Sequence, residues 1–130
     1  MDFIEPDISI FQGKKILIVE DDFFNAQYLN EILEDTGVEV TLSETGEIAI
    51  EKIKSGQKFD LILMDIRLPG IDGYTTTKLI LEIVSKINII AQTAFASSID
   101  MKKAYEAGCI DFIAKPVDKE ILFLKMLKLF

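Results

Sequence analysis

Phe59-Asp60-Leu61-Ile62-Leu63-Met64-Asp65 is a short apolar run that ends on a carboxylate, and Ile66-Arg67-Leu68-Pro69-Gly70-Ile71-Asp72-Gly73 breaks it at once. A run of this length, bounded by Pro and Gly, predicts a strand buried in a parallel sheet. Asp65 would then stand at the mouth of that sheet, where open α/β folds place their ligands. Three other segments repeat the pattern. Ile16-Leu17-Ile18-Val19 runs into Glu20-Asp21-Asp22, Ile87-Asn88-Ile89-Ile90-Ala91-Gln92 into Thr93-Ala94, and Cys109-Ile110-Asp111-Phe112-Ile113-Ala114 into Lys115-Pro116. Acids, a hydroxyl and an ammonium are therefore expected at one rim.

Stretches of helical period separate these runs. The first helix is expected over about Phe23 to Asp35, with Phe24, Tyr28 and Ile32 as one stripe, Leu29 and Leu33 beside it, and Gly37 past its end. Val38 to Leu42 alternates like a strand, and Glu47 to Lys54 reads as a short amphipathic helix. A third helix runs through Leu79, Ile80, Ile83 and Val84. Ser97 or Ser98 can cap a fourth, and Asp118 a fifth that carries Leu122, Leu124, Leu127 and Leu129. Strands alternating with helices predict an α/β domain, a three-layer (βα)5 sandwich around a parallel five-stranded sheet. The order expected is the flavodoxin-like 2-1-3-4-5, which makes the acidic cluster and Asp65 neighbours across its switch point. Residues 1–13, with Pro6, Gly13 and no clear periodicity, read as an N-terminal arm or linker, and residues 14–130 as the domain proper.

Composition narrows the function. A chain of 130 residues, 49% of them hydrophobic, suits one domain. Its 22 acidic and 14 basic residues give a net charge of −8, which repels polyphosphate, so neither nucleic-acid nor membrane contact is expected of this domain. The single cysteine, Cys109, allows no internal disulfide and reads as a small buried hydrophobe. With no leader-like opening, a cytoplasmic location is expected, which includes the cytoplasmic part of a membrane-bound protein.

Glu20, Asp21 and Asp65, brought together, would repel one another unless a cation compensates. Mg²⁺ suits such oxygen ligands, with Mn²⁺ able to replace it, and typically combines one or two carboxylates with a phosphate. Asp22, by contrast, reads as a helix cap. From across the rim, Lys115 and Thr93 would offer a cation and a hydroxyl donor to the oxygens of a phosphoryl group. An aspartate between a metal and a lysine can act as a nucleophile and form an aspartyl phosphate, and Asp65 is the candidate.

These four motifs, in this order, resemble the receiver (phosphoacceptor) domain of two-component response regulators and hybrid sensor histidine kinases, known chiefly from bacteria. The resemblance spans roughly Lys14 to Leu129. It implies that Asp65 accepts a phosphoryl group from the phosphohistidine of a histidine kinase or histidine phosphotransfer domain. Asp21 would ligate Mg²⁺, Glu20 would do so directly or through water, and the backbone carbonyl of Arg67 would supply another ligand. Thr93 and Lys115 would bind phosphoryl oxygens, and the Lys115–Pro116 bond would be cis. Phe112 falls where the family places its switch aromatic, which would reshape the face of the fourth helix, fifth strand and fifth helix, a surface also open to dimerisation. An ordinary core aromatic is the alternative for Phe112. Glu20 stands where many members carry aspartate.

The chain has no histidine, so the donor must come from elsewhere. Two settings fit: the C-terminal receiver of a hybrid histidine kinase, favoured by the linker-like residues 1–13 and by Gln92-Thr93-Ala94-Phe95-Ala96, and a stand-alone single-domain regulator. A receiver that only docks partners without being phosphorylated is a third reading, though it would not need Asp21, Asp65, Thr93 and Lys115. A haloacid-dehalogenase-like phosphatase would place an acid/base aspartate where Arg67 stands, and a flavin site would not open on an acidic first turn. No enzyme activity beyond the domain's own phosphorylation and dephosphorylation is expected.

Overall fold

The computed structural model describes residues 7–94 and 97–130. Phe95 and Ala96, read above as part of one motif, lie outside the described residues, as do residues 1–6 of the expected arm. Strands β1 (Lys15–Val19), β2 (Glu39–Ser43), β3 (Leu61–Asp65), β4 (Asn88–Thr93) and β5 (Asp111–Ala114) alternate with helices α1 (Phe23–Glu34), α2 (Gly46–Lys54), α3 (Gly73–Ile83), α4 (Ser98–Ala107) and α5 (Lys119–Leu127). The five strands are parallel in the order β2-β1-β3-β4-β5, the flavodoxin-like arrangement expected. None of the helices among the described residues is long and apolar enough to cross a membrane.

The two faces of the sheet follow from the period-two alternation of its strands. Ile16, Ile18, Leu61, Leu63, Ile90 and Ile113 pack with Leu29 and Leu33 of α1 and Leu122 and Met126 of α5. Leu17, Val19, Ile62, Met64 and Ile89 face the other way, onto α2, α3 and α4. Every residue of β3 is buried, which matches its unbroken apolar reading. Full burial of a side chain of this size stabilises by about 1.5–3 kcal/mol, so the paired cores dominate the fold's stability.

Caps sit where the side chains predict them. The carboxylates of Asp22, Asp72 and Asp118 and the hydroxyls of Thr45 and Ser97 each accept the backbone N–H three residues on, at the starts of α1, α3, α5, α2 and α4. Gly108 ends α4 with a φ of 113°, a left-handed conformation that favours glycine.

Two expectations need correction. Of the residues expected as the stripe of α1, Phe24 is 82% exposed and Tyr28 also faces outward, whereas Leu29 and Leu33, expected beside that stripe, are buried together with Ala26. Leu29 and Leu33 stand one position beyond Tyr28 and Ile32, a rotation of about 100° that turns them into the core shared with β1 and β3. Leu124 likewise points outward on α5, whereas Phe123 and Met126 are buried.

The segment read as an arm also contributes to the core, through Phe11. Ser9–Phe11 forms a 3-10 turn, and Phe11 is fully buried, edge-on to Phe123 and Phe130 with ring centroids 5.8 Å away in each case. Gly13 N–H donates to the Gly37 carbonyl at 2.9 Å, which ties the segment to the loop before β2. A Phe11→Ala substitution is expected to lower stability by about 3 kcal/mol in urea unfolding. A midpoint unmoved by that change would restore the reading of the segment as a passive arm.

Candidate functional site

β1 and β3 are adjacent and in register at Val19 and Met64, so the residues that follow each, Glu20 and Asp65, emerge side by side. Both are buried, at 3% and 4% exposure, while Asp21 between β1 and α1 is exposed. One carboxylate oxygen from each of Glu20, Asp21 and Asp65 can be chosen so that the three lie within 4.8 Å of one another. The sequence motifs are thus brought to one point.

Lys115, delivered by the turn after β5, places its Nζ 2.9 Å from Glu20 Oε2 and 3.2 Å from Asp65 Oδ2. Its backbone N–H donates to the Thr93 carbonyl at 2.8 Å, so β4 and β5 present Thr93 and Lys115 together. Thr93 is itself buried. The Lys115–Pro116 peptide is cis. Arg67 is exposed, and its N–H donates to Asp65 Oδ1 at 3.0 Å, so the loop leaving β3 folds back on the carboxylate. Gly73 closes that loop: its N–H donates to the Ile66 carbonyl, and a β-carbon there would fall 2.2 Å from the Asp65 carbonyl oxygen. Only glycine fits so close an approach. Glu47 of α2 pins the same loop by accepting the Ile71 N–H at 3.2 Å.

Burial pushes the Asp65 carboxyl up to about 6, its bond from the Arg67 N–H works against that, the Glu20 charge adds to it, and Lys115 opposes it. For Lys115, burial alone would pull the ammonium down, but the bond to Glu20 and the charges of Asp65 and Glu20 outweigh it and hold the group above its usual value. The three carboxylates are hard oxygen donors clustered around a common point, a set that suits Mg²⁺ or Mn²⁺.

Two residues to which the sequence reading gave no role of their own complete the site. Asn25, in the first turn of α1, donates from Nδ2 to Glu20 Oε2 at 2.7 Å and to Gln92 Oε1 at 3.4 Å. Gln92 is fully buried on β4 opposite Asp65, and its Nε2 has no hydrogen-bond partner. An unsatisfied buried donor of this kind costs about 1–3 kcal/mol. The signal was available: Gln92 is a polar residue at a core position of an otherwise apolar strand.

Phe112 lies away from the carboxylates, half-buried on β5. Its ring meets Tyr105 edge-on at 6.2 Å, and Lys125 Nζ sits 5.6 Å from its centroid. Burial raises the Cys109 thiol to about 11, in keeping with a packing role.

The raised Asp65 value carries a sign for stability. Below about pH 4 the carboxyl is protonated in folded and unfolded chains alike and imposes no penalty; above about 6 only the folded chain bears the cost of its charge. In metal-free buffer, Asp65→Asn is therefore expected to stabilise the protein at pH 7.5 by roughly 1–2 kcal/mol, allowing for solvent screening at the rim. Thermal unfolding across pH checks this: the advantage should shrink as pH falls from 7 to about 4.

Comparison with known proteins agrees with this geometry. The family model described as the response regulator receiver domain matches residues 16–127. Hybrid signal transduction histidine kinase M of Dictyostelium discoideum is 40% identical over 120 residues, which cover 88% of this chain but only 5% of that protein. Among solved structures, the receiver domain of a Pseudomonas aeruginosa sensor histidine kinase, with magnesium coordinated in its active-site cleft, is 36% identical, with a TM-score of 0.82 and coverage of 90% of this chain and 97% of that one. A receiver domain crystallised with a Saccharomyces cerevisiae histidine phosphotransfer protein is 30% identical, with a TM-score of 0.85 and coverage of 92% and 90%. Relatives in Dictyostelium and yeast mean that membership does not restrict the source to bacteria, as the sequence reading had it. With sequence, topology and rim in agreement, the chain belongs to the receiver domains of two-component signalling proteins.

Proposed function

We propose that this domain accepts a phosphoryl group on Asp65 from a phosphohistidine of a histidine kinase or histidine phosphotransfer protein. The observation that carries this reading is the placement of Lys115 Nζ between Glu20 and Asp65, at 2.9 and 3.2 Å, beside an acidic cluster that leaves Asp65 at the rim. Receiver domains are generally signalling domains rather than enzymes, and here the chemistry is confined to the chain's own aspartate.

An Asp65 carboxylate oxygen attacks phosphorus in line. The new P–O bond forms as the P–N bond of the donor breaks, and the imidazole nitrogen keeps the bonding pair and takes a proton from solvent. Lys115 and the Thr93 hydroxyl bind the phosphoryl oxygens, so the step rests on charge neutralisation and positioning with no general base. Asp21, Asp65, the Arg67 backbone carbonyl and Glu20, directly or through water, would hold Mg²⁺, whose charge offsets that of the phosphoryl oxygens when bound.

Thr93 moving toward the new phosphoryl group would free space for Phe112 and reshape the α4-β5-α5 face. Ile99, Tyr105, Ile121 and Leu124 lie exposed on α4 and α5, which supports that face as the output or dimerisation surface. The solved receiver–phosphotransfer complex from yeast and the hybrid kinases among the relatives support a histidine phosphotransfer partner and a place within a hybrid histidine kinase. A cytoplasmic location, with no nucleic-acid or membrane contact by this domain, accompanies that reading.

Intact mass after incubation with acetyl phosphate tests it. The wild-type chain is expected to gain one phosphoryl group only when Mg²⁺ is present, and Asp65→Asn to gain none. Labelling of the variant at the wild-type rate would move the acceptor elsewhere, and no wild-type adduct even with a phosphohistidine donor would favour a docking-only receiver. Lys115→Ala should still bind Mg²⁺ weakly but label about 100-fold more slowly.

A further inference from the structure

We propose that Asn25 and Gln92 form a positioning pair behind Glu20, holding its carboxylate in place while Lys115 turns from it to the phosphoryl group. The inference rests on the phosphoacceptor reading of Asp65.

Glu20 is held from three directions. Its Oε1 accepts the Asp22 N–H at 3.2 Å, and its Oε2 is shared by Lys115 Nζ at 2.9 Å and Asn25 Nδ2 at 2.7 Å. Lys115 also contacts Asp65, so reaching a phosphoryl group bound there stretches its contact with Glu20. Asn25 Nδ2 donates to the same oxygen as Lys115 and so keeps this buried carboxylate placed when the lysine's contact lengthens.

Glu20 determines which way round the Asn25 amide sits, and Gln92 accepts that orientation. A carboxylate only accepts, so Asn25 must present Nδ2 to Glu20. Gln92 turns Oε1 toward that same Nδ2 at 3.4 Å, which leaves its own Nε2 buried without a partner. Reversing the Gln92 amide would set two donors against each other, and reversing Asn25 would set an amide oxygen against the Glu20 charge. The orphaned donor is therefore imposed by the orientation that Glu20 requires. Asn25 is itself fixed, because its backbone N–H donates to the Asp22 carboxylate that caps α1. Neither residue touches the reacting atoms, so both act through Glu20.

A double-mutant cycle tests this, read by labelling with acetyl phosphate at saturation and by calorimetric titration with Mg²⁺ alone. Asn25→Ala is expected to slow labelling and weaken Mg²⁺ binding about tenfold, as loss of an outer partner of a metal ligand does. In a Glu20→Gln background the same change should have little further effect on either. Equal losses in both backgrounds, or wild-type behaviour of Asn25→Ala, would overturn the proposal. Gln92→Leu guards against a fold effect: it should raise the thermal midpoint, by removing the orphaned donor, yet slow labelling. A midpoint and a rate that rise together, or fall together, would also overturn it. A wild-type chain that neither binds Mg²⁺ nor takes label would instead remove the phosphoacceptor reading itself.

Discussion

The double contact of Lys115 with Glu20 and Asp65 makes the rest of the rim tenable. Asp65, buried at the end of β3 beside the equally buried Glu20, is driven toward the neutral form by its burial and by the Glu20 charge. One ammonium between them offsets part of that, and the remainder still appears as the raised Asp65 value. The three carboxylates gathered at the mouth of the sheet are the kind of hard oxygen set that suits a divalent cation. The strand order is the ultimate source of this crowding, since only a crossover that sets β1 against β3 brings the two acidic termini together.

Much of this was readable in the sequence, because strand ends are marked twice. An apolar run shows where a buried strand lies, and the abrupt polar or breaker cluster after it shows which residue reaches the rim. That logic identifies Asp65, Glu20 and Asp21, Thr93 and Lys115 without tertiary information, and the flavodoxin-like order then brings them together. Helix faces were less readable. Phe24 and Tyr28 outrank Ala26 in size, so they claimed a stripe on α1, but the face turned inward is that of Ala26, Leu29 and Leu33.

The positions missed share a physical cause. Asn25 and Gln92 carry no charge and no nucleophile, and each matters only through a neighbour that becomes adjacent on folding: Gln92 is 67 residues from Asn25 in the chain. Glu47 is similar, since its role in holding the loop at Ile71 depends on α2 packing beside that loop. Glu20 links the two kinds of position. Its carboxylate meets both Lys115 and the first turn of α1.

Phe11 and Phe130 lie outside the 16–127 span of the family match, yet their rings touch, and both belong to the core that covers α5. The unit that folds is therefore larger at both ends than the unit that defines the family. The edge-on contact of Phe11 with Phe130 joins the segment before β1 to the one after α5, so the two ends of the fold brace one another across that helix and loosening either ring releases both.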